Sequence, residues 1–461
     1  MHKKYSFIIV LSFVSLCINH TQAQSLKDKI GQMIWNAFNG TKLNDTIRVD
    51  LKNRNMGGVI LYSSYGNLSN PAQIKQLTDT IKNVSKTAPF ISVDQEGGRV
   101  ARLSKSNGFA DSYTAYTLGT VINREDSTRK SASTMASWLK QCGFNVNLAP
   151  VADVNVNPTS PAIGTLQRSY SQQPSVVFNH TKWFIDEFEK KNILTCLKHF
   201  PGHGSAMQDS HLGFTDITLT WADSELIPYQ LLIANGYNDF IMIGHLYNSF
   251  LDPVYPGTLS KKIVTDLLRT QLGFSGLIIT DAMLMQAITN NYGFDEAVVL
   301  AVNAGNDILL YNSTLRNNSS LFKQVTNIIE QKVNEGKIPV YRINESYNRI
   351  IQYKKKYGII TDVEQYADQS LPSGFELYQN YPNPFNPSTI ISWQIAVSSY
   401  VTLKVYDLLG REIATLVDEF KPVGIYHSTF NTQHSKLSSG VYYYTLQIGG
   451  NTKTKKMILM K

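Results

Sequence analysis

Cysteine is scarce in this 461-residue chain, with only 3 present. That is too few for a disulfide framework or a Cys-rich zinc module. Charge is sparse as well: 17 % of residues are Asp, Glu, Lys or Arg, and 43 Lys+Arg against 35 Asp+Glu leave a formal net charge of +8. The basic residues are scattered, and the densest runs are Lys354-Lys355-Lys356 and Lys453 to Lys456. The basic stripe of a nucleic-acid binder is missing, so no nucleic-acid partner is expected. Beyond the N-terminus, no apolar stretch approaches the roughly 20 residues of a membrane-spanning helix, and stable membrane insertion is not expected. There is no G-x-G-x-x-G or P-loop to cradle a nucleotide and no G-x-S-x-G elbow for a serine nucleophile. What is present is an ordinary globular composition, 43 % hydrophobic.

The two ends differ in texture from the middle. His2, Lys3 and Lys4 precede an apolar run from Phe7 to Ile18, and Thr21-Gln22-Ala23 offers small residues for cleavage after Ala23. Residues 1–23 therefore read as a secretory signal. Its removal leaves Cys142 and Cys196, both inside apolar runs and expected as buried free thiols. Near the other end, 361–374 is polar with Pro372 and Gly374, as a linker would be. Short alternating stretches follow: Ile390 to Ile395, Val401 to Asp407, Glu412 to Val417, Tyr426 to Asn431, Val441 to Ile448 and Lys455 to Met460. This spacing predicts a small all-β sandwich over 375–461. Three motifs in it, Tyr381-Pro382-Asn383-Pro384-Phe385-Asn386-Pro387, Val405-Tyr406-Asp407-Leu408-Leu409-Gly410-Arg411-Glu412 and Leu437-Ser438-Ser439-Gly440-Val441-Tyr442, resemble the C-terminal sorting domain of type IX secretion cargo. The resemblance implies the type IX secretion machinery as a partner, passage through the periplasm, and a cell-surface or extracellular location. A carbohydrate-binding or adhesive sandwich is the competing reading.

Between about 25 and 357, a short β-rich run followed by a longer amphipathic stretch recurs eight times. The runs are Met33 to Phe38, Gly58 to Tyr62, Phe90 to Asp94, Val146 to Val154, Leu194 to Phe200, Asp239 to His245, Gly276 to Asp281 and Asp307 to Tyr311. Several are nearly continuous in Ile, Val and Leu, as strands buried on both faces are. Ser260 to Leu272 has a Ser cap, an apolar face and Gly273 as a stop, which predicts a helix. The fold class expected is α/β, a (β/α)8 TIM-type barrel over 25–357. A doubly wound open sheet is the alternative, and it lacks its Gly-rich first turn here.

Asp94, Asp153, Lys198-His199, His245 and Asp281 fall at strand ends, where the C-terminal rim of a barrel carries its chemistry. Five of the nine His lie between 180 and 245. The loop from Lys198-His199-Phe200-Pro201-Gly202-His203-Gly204 to Asp209-Ser210-His211 reads as a mobile flap, with Gly202, Gly204 and Ser205 supplying the freedom. His199-x3-His203 followed by His211 has crude metal-ligand spacing. His199 ends a strand, however, so the helical face of zincins is missing, and Lys198 would put a cation beside the metal; no metal and no cofactor are expected. His203, between two glycines, reads as a brace for the loop. What remains is a carboxylate with a His acid/base, whose unperturbed pKa near 6.5 suits proton transfer at neutral pH. Asp209 is placed to orient the His211 ring, as a triad Asp does.

The segments Asp94 to Arg102, Lys198 to Gly204 with Asp209-x-His211, Thr280-Asp281 and Asn147-Leu148-Ala149-Pro150-Val151-Ala152-Asp153 resemble, in order and spacing, family 3 glycoside hydrolases of the β-N-acetylhexosaminidase type. The resemblance implies that Asp281 is the nucleophile forming a glycosyl-enzyme and that His211, partnered by Asp209, is the acid/base. It further implies that Asp94, Arg102, Arg168, Lys198 and His199 bind the sugar. Around Arg168 the sequence departs: the family's Ile-Gly-Asp-Arg-Ser-Phe is here Ile163-Gly164-Thr165-Leu166-Gln167-Arg168-Ser169-Tyr170. The implied activity is an exported, retaining exo-β-N-acetylhexosaminidase acting on amino sugar glycans such as peptidoglycan or chitin fragments. A β-glucosidase, a phosphorolytic or transferring variant, and a non-catalytic surface glycan-binding protein stay open.

Overall fold

The computed structural model describes residues 24–210, 212–361, 375–395, 399–421, 424–433, 435 and 437–460. The signal assigned to 1–23, most of the linker assigned to 361–374, and His211 lie outside the described residues.

Eight strands form one sheet: β1 (Ile34–Ala37), β2 (Gly58–Ile60), β3 (Phe90–Val93), β4 (Val146–Asn147), β5 (Leu194–Phe200), β6 (Phe240–Ile243), β7 (Leu277–Thr280) and β8 (Leu309–Tyr311). Each of the first six junctions in chain order is a parallel ladder, and β8 returns to β1, also parallel, with Ile34 opposite Leu309. Between β7 and β8 the contact narrows to the bridge Ile279–Ile308, reinforced where the Leu310 N–H donates to the Thr280 hydroxyl (3.0 Å). The expected (β/α)8 barrel is the architecture found, with a helix after every strand.

Most strands are one to three residues shorter than their apolar runs, but β4 is far shorter than Val146 to Val154. Pro150 has no N–H to give to the ladder, and beyond Asn147 the chain stays linked to β5 by the Cys196 N–H to the Ala149 carbonyl (2.9 Å) and the bridge Val151–Lys198. The freed segment from Leu148 to Val154 stays buried and turns Asp153 inward. The stretch predicted as a helix from Ser260 is one, in widened form, at Lys262–Gln271; the Ser260 hydroxyl accepts the Ile263 N–H (3.1 Å) and Gly273 ends it at φ +72°.

The barrel floor is aromatic. Trp35 on β1, Phe90 on β3 and Phe240 on β6 meet with ring centroids 5.3–5.6 Å apart. Gly58 on β2 makes room for the indole, since a Cβ there would lie 2.6 Å from it. Lys354 closes the floor: its Nζ donates to Gln32 Oε1 (2.6 Å) and the Gly57 carbonyl (3.0 Å) and lies 4.9 Å from the Phe90 ring centre. Polar chemistry is thus left to the opposite rim. Cys142 and Cys196 are buried free thiols, as expected.

The C-terminal region is all β. Short β9 (Glu376–Leu377), β10 (Ser388–Ile395) and β13 (Gly424–Asn431) form one antiparallel sheet; β11 (Ser399–Tyr406), β12 (Glu412–Lys421), β14 (Gly440–Ile448) and β15 (Asn451–Leu459) form a second. Alternate residues turn inward, among them Ile391, Trp393, Leu403, Tyr444 and Leu446. Phe385 of the Pro-rich motif joins this core and bridges to Leu459. Among the described residues, no helix is long and apolar enough to cross a membrane.

Candidate active site

Three strand ends supply one pocket. Asp94 follows β3 directly, Lys198 and His199 end β5, and Asp281 follows β7. With Arg102 and Arg168 they line a cavity of about 350 Å³ at the C-terminal rim, walled by Tyr62, Tyr65, Leu166, Met242 and Met285. Six of the eight site residues expected from the sequence therefore meet in one place. Asp209 lies half-buried on the flap and is not among the residues lining this cavity, and His211 lies outside the described residues.

A chain of opposite charges fixes the pocket. Lys198 Nζ lies 2.8 Å from Asp94 Oδ1 and 2.7 Å from Glu96 Oε1, and Arg102 reaches Asp94 Oδ2 at 3.4 Å. Arg168 grips Glu96 with two parallel bonds of 2.8 Å and donates to the Ala162 carbonyl at 2.9 Å. Such forked pairs set direction as well as strength. Burial alone would raise the Asp94 and Glu96 carboxyls; the cations beside them outweigh it and hold both below the ordinary carboxylate range. Burial likewise works against the Lys198 ammonium, and the two carboxylates more than restore it. The pocket is therefore lined by groups that stay charged and are already oriented, as a site for a polar ligand requires.

Glu96 is the site residue that sequence reasoning passed over. The available signal was its spacing from Asp94: two residues apart in extended chain, both side chains point the same way. Around Arg168 the sequence departs from the family's pattern, and the structure shows what the departure does. The longer loop places Leu166 in the pocket wall, passes Gln167 through φ +57°, and still returns Arg168 to Glu96.

His199 is held from both sides. Its Nδ1 lies 2.8 Å from Asp153 Oδ2, and Arg168 Nη2 donates toward its Nε2 at 3.3 Å, which places the ring proton on Nδ1. Asp153 Oδ1 accepts the N–H groups of His199 (3.0 Å) and His203 (2.8 Å). Burial pushes the Asp153 carboxyl up, and His199 with the His203 N–H brings it below its ordinary value. Around Asp281, the Ala282 N–H donates to Oδ1 (2.7 Å), while His245 Nε2 donates to the Ala282 carbonyl (3.0 Å). His245 is thus a brace for the segment bearing Asp281.

The start of the flap differs from the mobile loop expected. Residues Pro201 to Ala206 are buried. Gly204 is there for close approach: a Cβ on it would stand 1.6 Å from the Val154 carbonyl oxygen. Its N–H donates to Glu225 Oε2 (2.9 Å), and Trp221 Nε1 donates to the Pro201 carbonyl (3.1 Å). His203 braces the loop as expected, with Nε2 3.1 Å from the Ser210 hydroxyl. Burial, then the neighbouring His199, pushes its ring down to about 4. Exposure begins only at Met207. Among the described residues, no three His, Cys, Asp or Glu side chains converge as metal ligands.

Comparison with known proteins agrees with this geometry. Residues 379–460 match the secretion system C-terminal sorting domain. The chain is 32 % identical over 325 residues to β-hexosaminidase A of Pseudoalteromonas piscicida, covering 65 % of this chain and 53 % of that protein, so it spans about half that relative's length. A β-hexosaminidase of Nitrosomonas eutropha is 33 % identical over 279 residues, 59 % of this chain and 78 % of its own. Among solved structures, a glycoside hydrolase family 3 β-N-acetylglucosaminidase from Paenibacillus sp. str. FPU-7 superposes with a TM-score of 0.68 at 30 % identity, covering 75 % of this chain and 66 % of that one. A β-N-acetylhexosaminidase from Beutenbergia cavernae gives 0.65 at 25 % identity, over 72 % and 99 %. Residues 25–353 match the glycosyl hydrolase family 3 N-terminal domain, a span that holds the whole barrel and every pocket residue described above, and the chain belongs to that family.

Proposed function

We propose that this protein is an exported, retaining exo-β-N-acetylhexosaminidase that removes terminal β-linked N-acetylglucosamine from amino sugar glycans such as peptidoglycan or chitin fragments. The observation that carries the reading is the place of Asp281: it follows β7 directly, has Oδ1 oriented by the Ala282 N–H, and faces the cavity lined by Asp94, Glu96, Arg102, Arg168, Lys198 and His199. In this reading Asp94 and Glu96, held by Lys198, Arg102 and Arg168, serve as fixed acceptors and Asp281 as the nucleophile. Asp94, Arg102, Lys198, His199 and Arg168 take the sugar hydroxyls. Asp281 attacks the anomeric carbon, and the glycosidic oxygen leaves with a proton from His211, which Asp209 orients. His211 then takes a proton from water, which cleaves the glycosyl–Asp281 ester with net retention. The related β-hexosaminidases and the sorting domain support the substrate class and the exported location. The tail addresses the protein to the type IX machinery and plays no part in the chemistry.

Asp281→Ala is expected to abolish release of nitrophenol from the aryl β-N-acetylglucosaminide. Proton NMR of the first-formed sugar with the parent enzyme is expected to show the β anomer. Near-parental activity in the variant, or an α product, refutes the mechanism.

A further inference from the structure

The pocket has an aromatic wall beside the charged network. Tyr62 follows β2, and Tyr65 ends the short 3-10 turn Ser63–Tyr65. Their rings lie 5.0 Å apart at 57°, and both line the cavity that holds Asp281. The loop bearing them is rigidly made. Buried Asn67 accepts the Tyr62 N–H (3.0 Å) and donates to the carbonyls of Phe38 (2.9 Å) and Gly40 (2.8 Å), while the Gly40 N–H donates to the Tyr65 carbonyl (2.8 Å). The Tyr65 hydroxyl donates to the Asn312 carbonyl (2.7 Å), just past β8.

Side-chain exposure along the network rises outward, from 3 % at Lys198 through 13 % at Asp94 to 28 % at Arg102. The Arg102 guanidinium then lies 5.7 Å from the Tyr62 ring centre, and Tyr65 continues the line toward exposed Ser64. Charge at the deep end suits the hydroxyls of the sugar that is cut. The apolar ring faces begin where that charge stops. Through Asn312, Tyr65 is anchored to the loop after β8, the strand next to β7 in the barrel, and it lines the same cavity as Asp281, which follows β7.

We propose that Tyr65, backed by Tyr62, forms a subsite for the leaving group, stacking the C–H face of the pyranose ring next to the bond that is cut. The inference rests on the glycosidase reading above and adds the preference for a sugar leaving group. A flat, pre-positioned aromatic face supplies contact area with little loss of side-chain freedom.

The test compares N,N′-diacetylchitobiose with methyl β-N-acetylglucosaminide, whose leaving groups are both alkoxides but only one of which carries a ring. Tyr65→Ala in the full-length protein is expected to lower the disaccharide-to-methyl ratio of kcat/KM on the order of tenfold. Tyr65→Phe, which keeps the ring and loses the bond to Asn312, is expected to restore the ratio. A ratio within twofold of the parent in Tyr65→Ala, or a fall in Tyr65→Phe as large as in Tyr65→Ala, overturns the subsite while the glycosidase reading stands. A parent enzyme that cleaves neither compound overturns that reading and the subsite with it.

Discussion

Glu225 offers a test that needs no substrate. It is wholly buried beneath the flap, where Oε2 accepts the Gly204 N–H and its side chain packs where a Cβ on Gly202 would fall. Burial is the main influence and raises its pKa from the ordinary 4.5 to about 8, opposed by the Ser205 hydroxyl and the Gly204 N–H. In the unfolded chain the group ionises near 4.5; in the folded chain it keeps its proton until about 8. Between these limits the folded state holds the extra proton, so stability falls as pH rises. Its contribution is complete below pH 4.5 and lost through pH 8. At about 1.4 kcal/mol per pH step, the interval corresponds to a loss on the order of 5 kcal/mol. Glu225 touches the flap from Gly202 to Ser205, so release of that loop is the easiest relief and caps the global loss below this figure. Glu225→Gln keeps the shape and the acceptor and removes the titration. Urea unfolding of parent and variant at pH 5, 6.5, 8 and 9, followed by tryptophan fluorescence (Trp221 is bonded to the flap at Pro201), is expected to give curves that diverge with pH, the parent losing stability relative to the variant. Other titrating groups, His203 among them, are common to both proteins and cancel in the difference. Parallel dependences across this range would refute the buried-acid argument.

Two further substitutions probe the pocket and its support. Glu96→Gln leaves the buried Arg168 without its carboxylate partner; an uncompensated buried charge of this kind costs about 3–5 kcal/mol. A lower denaturation midpoint together with a fall in kcat/KM on an aryl β-N-acetylglucosaminide is expected, and an unchanged midpoint would show that Glu96 is dispensable. Gly204→Ala forces a methyl group into the Val154 carbonyl, so the flap must leave its seat. Activity is expected to fall by at least two orders of magnitude, with circular dichroism of the barrel preserved, and retention of more than a tenth of the parental rate would count against a fixed flap base.

The eight strands were legible because a parallel barrel buries both faces of each strand, leaving uninterrupted runs such as Ile278-Ile279-Thr280. The sandwich strands were legible for the opposite reason, since one face is wet and the alternation survives. The reach of β4 was misjudged because apolar content says that Leu148 to Val154 is buried but not how its backbone is bonded, and Pro150 decides the latter. In the site, Asp94, Lys198, His199 and Asp281 stood out as polar residues ending apolar runs. Glu225 did not: Asp223-Ser224-Glu225 has the composition of any solvated first helical turn, and only the fold brings it under Gly204.

The flap glycines mark where composition misleads about dynamics. Gly202-His203-Gly204-Ser205 has the makeup of a hinge, yet these residues are buried, and Gly204 is required because a neighbouring carbonyl leaves no room for a side chain. The support of the loop then makes physical sense as one assembly. Asp153 holds the backbone N–H groups of His199 and His203 with a single oxygen, so a pocket residue and the loop base share an anchor. Glu225 holds the next N–H from below, and His203 ties the far end through Ser210. Under the proposed mechanism, in which Asp209 orients the acid/base, such a loop gains from a rigid base, because misplacement by about 1 Å can cost about a hundredfold in rate. The base is therefore where substitutions distant from the pocket should be felt most strongly in turnover.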